Sequence, residues 1–100
     1  MYARVLKIRV KSDRIDNASK IFEESVIPLC HKHKGFKGAS FLADRENETC
    51  LPLTLWESEE DLLSTEKNRF FQEQLVKFLQ FFLAPPIREV YEVLVESKNP

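Results

Sequence analysis

Residues 50 to 56 read Cys50-Leu51-Pro52-Leu53-Thr54-Leu55-Trp56, a run in which neither parity is charged. In an extended strand successive side chains point to opposite faces. Leu51, Leu53 and Leu55 then share one face, Cys50, Pro52, Thr54 and Trp56 the other, and both sets suit burial. A strand of this kind requires cover on both sides of its sheet. Two further segments alternate in the same way. Tyr2 to Lys11 sets Tyr2, Leu6, Ile8 and Val10 against Ala3, Val5, Lys7, Arg9 and Lys11, and the second set is not purely polar. Ile87 to Glu96 alternates less cleanly, with Val90 and Leu94 opposite Ile87, Tyr91, Val93 and Val95.

Between the strands lie two helical stretches. Ile15, Ala18, Phe22, Val26, Leu29 and His33 recur at spacings of three or four, one stripe of a helix. Asp13 is placed as its N-cap, and Pro28 should kink it or open a second short turn. Gly35 ends it in a position suited to a left-handed cap. The second stretch opens at Ser58, an N-cap with Asp61 three residues on, and runs to about Leu83, with a break expected near Ser64-Thr65. Phe70, Phe71, Gln74, Leu75, Phe78, Leu79, Phe81 and Phe82 cover more than half its circumference. Pro85-Pro86 closes the stretch. Ala39 to Asp44 and Thr49 to Trp56 form a hairpin around Arg45-Glu46-Asn47-Glu48. Pro52 lacks a ladder donor, which makes the second hairpin strand irregular or partly an edge.

The order β-α-β-β-α-β predicts an α+β fold of ferredoxin-like arrangement, a four-stranded antiparallel sheet with helices on one side, as a single domain over residues 1–100. The helices cover one sheet face. The other remains an exposed apolar patch, and a symmetric homodimer joined through it resolves the excess.

Net charge of −1 gives no global attraction to nucleic acid or an anionic membrane. The halves differ: residues 1–50 carry ten Lys/Arg against seven Asp/Glu, and residues 51–100 carry five against nine. That offset suits contacts between copies, and solvated faces explain it equally well. Met1-Tyr2-Ala3-Arg4 is charged at once, and the longest apolar run is Phe81-Phe82-Leu83-Ala84. A membrane span needs roughly 18 apolar residues, so no membrane partner and a cytoplasmic location are expected. Cys30 and Cys50 are then reduced, small hydrophobic side chains. His31 and His33 point in nearly opposite directions on a helix, so no metal site is expected.

Pro28, then Gly35-Phe36-Lys37-Gly38, the hairpin, and Leu53-Thr54-Leu55-Trp56-Glu57-Ser58-Glu59-Glu60-Asp61-Leu62 together resemble the antibiotic biosynthesis monooxygenase family of dimeric α+β barrels. Pro85-Pro86 and Tyr91-Glu92-Val93-Leu94 fit the same layout, so the resemblance spans nearly the whole chain. It implies a dimeric barrel and oxidation by O2 without metal or flavin cofactor. Some members of the family convert phenols or hydroquinones to quinones, and others degrade haem. The quinone-forming members carry an asparagine four residues before the strand-end tryptophan. Pro52 stands there in this chain. The haem degraders use an asparagine in the first strand and a Trp/His pair near the second helix. The first strand here has no Asn, residues 59 to 84 have no His, and Trp56 is the one tryptophan.

The candidate residues each have two readings. His33 is a base at a cavity mouth, or a helix-end histidine bonded to the last carbonyls. Trp56 is a catalytic or cavity-wall residue, or plain core. Phe22, Phe41, Trp56, Phe71, Phe78 and Tyr91 are expected to line a ligand pocket for a small aromatic molecule, and the aromatic cluster also serves as core. Arg4, Lys7 and Arg9 are candidate cations for an anionic ligand, or solvated strand residues. Two functions remain open: a monooxygenase of phenolic or quinol substrates, and a non-catalytic binding or regulatory homodimer that lacks the family's polar residues. A ligand site calls for a cavity of several hundred Å³ between sheet and helices. A purely structural module would hold no more than a few waters.

Overall fold

The structure is a computed structural model and describes residues 1–99. Strand β1 (Tyr2–Arg9) leads through a 3₁₀ turn at Ser12–Arg14 into helix α1 (Ile15–Ile21). A π-helical turn (Phe22–Val26) joins α1 to α2 (Ile27–Cys30). Strands β2 (Phe36–Asp44) and β3 (Thr49–Trp56) form the hairpin. Helices α3 (Glu59–Lys67) and α4 (Phe70–Val76), a 3₁₀ turn at Leu79–Phe81 and strand β4 (Ile87–Glu92) complete the chain. The sheet is antiparallel throughout in the order β2-β3-β1-β4, the ferredoxin-like arrangement.

Strand parity sorts the sheet into two surfaces. Leu6 and Ile8 of β1, Val10 just after it and Cys50 of β3 turn toward the helices. There they meet Ile15, Ala18, Phe22, Val26 and Cys30 from the first helical segment and Phe70, Phe78 and Phe81 from the second. On the opposite surface Ala3 pairs with Leu55 and Tyr91, Val5 with Leu53, and Leu42 with Leu51. Leu42, Ile87 and Tyr91 are about half exposed there (49, 55 and 53%), which confirms that one apolar sheet face has no cover from the helices.

Local structure departs from the expected boundaries at four points. Asp13 caps nothing: it lies inside the 3₁₀ turn, and α1 starts without a side-chain cap. Pro28 stands in the first turn of the short helix α2, the second of the two outcomes expected of it. A proline ring collides with the carbonyl four residues back. The widened turn before it sends the Ile27 N–H to the Phe22 carbonyl, five residues back, so the chain stays helical around the ring. Strand β3 is interior rather than at an edge. The β1–β3 pairing lapses between Val5–Leu53 and Ile8–Cys50, the stretch that contains Pro52. The second helical stretch breaks at Asn68–Arg69, where Arg69 takes a left-handed φ of 70°, rather than at Ser64-Thr65. Strand β4 stops at Glu92 instead of Glu96.

One expected helix cap is present and the other is displaced. Ser58 Oγ accepts from the Asp61 N–H at 3.1 Å. Gly35 takes the expected left-handed φ of 86°, but in the His33–Phe36 turn beyond the helix end at Cys30, and a Cβ there would collide with the Asp61 carboxylate. The glycine turn and the cap of α3 are therefore packed on one another, which fixes how the hairpin leaves the first helical segment.

Candidate functional site

Arg4 is the side chain that gives the interface between sheet and helices a chemistry. It shares parity with Leu6 and Ile8, so β1 points it inward, and it is only 5% exposed. A buried guanidinium is costly unless paired. Arg4 Nη1 donates to Thr65 Oγ1 at 2.9 Å and to Glu66 Oε2 at 3.0 Å. Thr65 is oriented to accept because its own hydroxyl donates to the Leu62 carbonyl at 2.7 Å. Glu66 also accepts from Arg88 Nε of β4 at 2.8 Å. Two cations thus share one carboxylate, and the cluster keeps a net positive charge. Burial pulls the Arg4 guanidinium below its usual value, and the Glu66 hydrogen bond and charge oppose that fall. The guanidinium carbon also lies over aromatic rings, 4.1 Å from the Phe71 centroid and 6.0 Å from that of Trp56.

A cavity of about 60 Å³ adjoins this cation. Phe22, Val26 and Cys30 form one wall, four residues apart along the π-turn segment. Phe70, Phe71, Gln74, Leu75 and Phe78 of the second helical segment form another, and Arg4, Leu6, Pro52 and Thr54 form the sheet floor. The π-turn gives the wall its shape, since it sets the angle at which Val26 and Cys30 follow Phe22. The lining is largely hydrocarbon and aromatic, with four polar groups. Thr54 Oγ1 accepts from the Trp56 indole N–H at 2.9 Å, which leaves the threonine O–H free to donate. Gln74 is 7% exposed, and its Oε1 has no hydrogen-bond partner. Burial pushes the Cys30 thiol up to about 11, so it is a neutral wall group at physiological pH. Arg4 is the charged member. Its Nη1 is engaged by Thr65 and Glu66, and no bond to a protein acceptor is found for its other N–H groups among the described residues.

The size lies below the several hundred Å³ expected of a ligand site. It accommodates waters but not an aromatic ring, for which a cavity of about 150 Å³ is a known workable size. A ring therefore enters only if a wall moves. Two larger hollows are open surface concavities with charged rims. One, about 380 Å³, lies beside Lys7, Leu51 and Glu89 on the uncovered sheet face. The other, about 340 Å³, lies beside Lys20, Glu24 and Phe81.

Of the residues expected to line the pocket, Phe22, Phe71 and Phe78 do so. The other three do not. Phe41 packs behind the wall, its ring 5.6 Å from that of Phe22. Trp56 is fully buried, edge-on to Phe36 at 5.4 Å, and adjoins the cavity only indirectly, behind Thr54 and Arg4. Tyr91 lies on the opposite sheet face, paired with Ala3, and a hydrogen bond to Glu89 raises its phenol above the usual range. His33 is not at the cavity either. The helix ends at Cys30, the His33 backbone N–H donates to the Cys30 carbonyl at 3.0 Å, and the ring stacks on Phe70 at 4.0 Å. His31 packs on a different ring, Phe36.

Arg4 was grouped by sequence with Lys7 and Arg9, from which the structure separates it. Strict parity was the signal, because an even-numbered Arg between Tyr2 and Leu6 belongs to the buried set. Thr54 and Gln74 carried weaker signals, a threonine beside the tryptophan on one strand face and a lone amide in a phenylalanine stripe.

No family model matches the chain, and neither does any curated protein. Solved structures do match it. A proposed antibiotic biosynthesis monooxygenase from Bordetella bronchiseptica superposes with a TM-score of 0.77 at 17% identity, over 94% of this chain and 97% of that one. The monooxygenase from the gene ActVA-Orf6 of Streptomyces coelicolor, solved with nanaomycin D, gives 0.76 at 14% identity over 99% and 92%. The haem degrader MhuD from Mycobacterium tuberculosis, solved with two haems in its active site, gives 0.70 at 16% over 98% and 100%. At these identities the likeness is one of fold: the chain has the ferredoxin-like α+β fold of structures described as antibiotic biosynthesis monooxygenases.

Proposed function

We propose that this protein binds a small planar aromatic molecule as its anion between sheet and helices, and that an electron-rich phenol bound there is oxidised by O2. The observation that carries the reading is Arg4, a guanidinium 5% exposed at the edge of an aromatic-lined cavity. A cation held in low dielectric favours the ionised form of a bound phenol. The phenolate is also the form that gives up an electron to O2. The overall conversion balances without a reductant: a phenol and O2 yield a quinone and water, one oxygen atom entering the ring and the other leaving reduced. In such a reaction Arg4 and the Thr54 hydroxyl hold the anionic oxygen, and the phenylalanines hold the ring and exclude water. Fold neighbours with nanaomycin D or haem bound support a ligand site in this architecture.

The second reading, a binding dimer without catalysis, has its own support. No carboxylate or imidazole lines the cavity, Glu66 is already engaged, and Pro52 occupies the floor without a polar group. Oxygen-electrode assays with hydroquinones and electron-rich phenols separate the two. Turnover that is lost in Arg4→Met supports the oxygenase. Aromatic anions that raise the melting temperature with no O2 uptake establish the binder. Neither effect in any arm removes the whole proposal.

The same proposal includes a homodimer joined through the uncovered sheet face, which would close it into a dimeric barrel. Ala3, Val5, Leu51, Leu53 and Leu55 lie at its centre, flanked by Lys7 and Glu89, charges able to pair across a two-fold axis. Two buried, unpaired cysteines fit a reducing compartment, and the proposal places the protein in the cytoplasm.

A further inference from the structure

Gln74 is an exception within its helix. Phe70, Phe71 and Phe78 stand three or four residues from it on the same stripe. An amide in that company is expected to find protein partners for its polar ends. Its Oε1 has none among the described residues, although the residue is only 7% exposed and lines the Arg4 cavity. Gln72 also has an unpaired Oε1, but its amide is anchored through Nε2 to the Glu66 carbonyl at 3.1 Å, and it does not line the cavity. Gln74 is therefore the case in which a residue with a buried, open acceptor lines a space beside a buried cation.

We infer that Gln74 is a specificity-determining residue of this site: its Oε1 accepts a hydrogen bond from a neutral hydroxyl or N–H on the ring whose anionic oxygen meets Arg4. The inference rests on the reading of the Arg4 cavity as the ligand site and narrows its ligand class. The fitting molecules are planar aromatics with one ionised oxygen and one neutral donor, such as hydroxylated aromatic acids and hydroquinone monoanions. A ring without the donor would seal Gln74 Oε1 away from both water and protein, and sites built this way reject the analogue that lacks the group.

Calorimetric titration of the full chain with benzoate, the three hydroxybenzoates and the three methoxybenzoates tests this. At least one hydroxybenzoate is expected to bind about tenfold or more tightly than benzoate and than its own methoxy counterpart. In Gln74→Met that preference disappears, while benzoate binding and its dependence on Arg4 persist. The unliganded variant melts no lower than the parent, because the substitution removes an unpaired acceptor; a Gln74 that merely braces the fold would give a lower melting temperature. Hydroxy and methoxy probes that bind equally, with Arg4 dependence intact, overturn the inference and leave the ligand site standing. Failure of every probe to bind the parent chain overturns both. The comparison of probes on the parent needs no variant, so it decides the matter even if Gln74→Met fails to fold.

Discussion

Arg4 shows what a buried cation asks of its neighbours. Its partner Glu66 is 19% exposed and serves Arg88 as well. Removal of the acid leaves a buried cation with only Thr65 to accept from it; removal of the cation leaves Glu66 still paired. We expect Glu66→Met, which removes the acceptor as well as the charge, to destabilise the fold by about 3 kcal/mol in urea denaturation, and Arg4→Met by clearly less, within about 1 kcal/mol. Equal losses would mean that the pair is not desolvated as described. Cys30 supplies a pH dependence at the same site. Its thiol ordinarily titrates near 9.0 and is pushed up to about 11 by burial, so the folded chain holds the proton more tightly than the unfolded one. The stability that this contributes is complete below pH 9 and declines as pH rises toward 11. The difference in slope between the parent and Cys30→Ala over that window isolates it from other alkaline groups, and identical slopes would refute it.

At the scale of elements, the sequence made the order of strands and helices legible, because period two and period 3.6 alternate cleanly along the chain. Ser58 announced its cap and Gly35 its left-handed turn for the same reason: each acts within a few residues of itself. What stayed hidden depended on contacts made elsewhere. Pro28 gives no sign of a π-turn until the carbonyl it must avoid is placed, and Pro52 marked its ladder as irregular without saying that β3 lies inside the sheet. Trp56 and Tyr91 looked like pocket residues because large aromatics suit cavities, but neighbours decide which side of a wall a ring occupies. The Gly35 turn carries a direct test. Gly35→Ala combines positive φ with a collision at Asp61, and is expected to cost about 2 kcal/mol or more by thermal or urea unfolding. Helix α4 carries another. The cavity of about 60 Å³ requires a wall to shift for a ring to enter. The left-handed residue Arg69 separates α4 from α3, and Lys77 just after α4 ties back to Ser25 Oγ at 2.8 Å. Hydrogen exchange is expected to show α4 amides opening more readily than those of β1 and becoming protected when an aromatic anion binds. Exchange in α4 unaffected by a bound ligand would place the ligand elsewhere.

For the molecule as a whole, the two faces of one sheet divide the work. The inner face holds a charged site under helices, and the outer face carries Ala3, Val5, Leu53 and Leu55 with no helix above them. That division was visible in residues 50 to 56 before any coordinate, since neither parity of the run is charged. A solitary chain would leave this surface in water, whereas a second copy would bury it by symmetry. Sedimentation equilibrium at micromolar concentration tests the claim most directly. The account predicts a particle of 23.4 kDa, twice the 11.7 kDa chain, and its conversion to a folded monomer by Leu53→Glu. A folded parent chain that sediments at 11.7 kDa would contradict it.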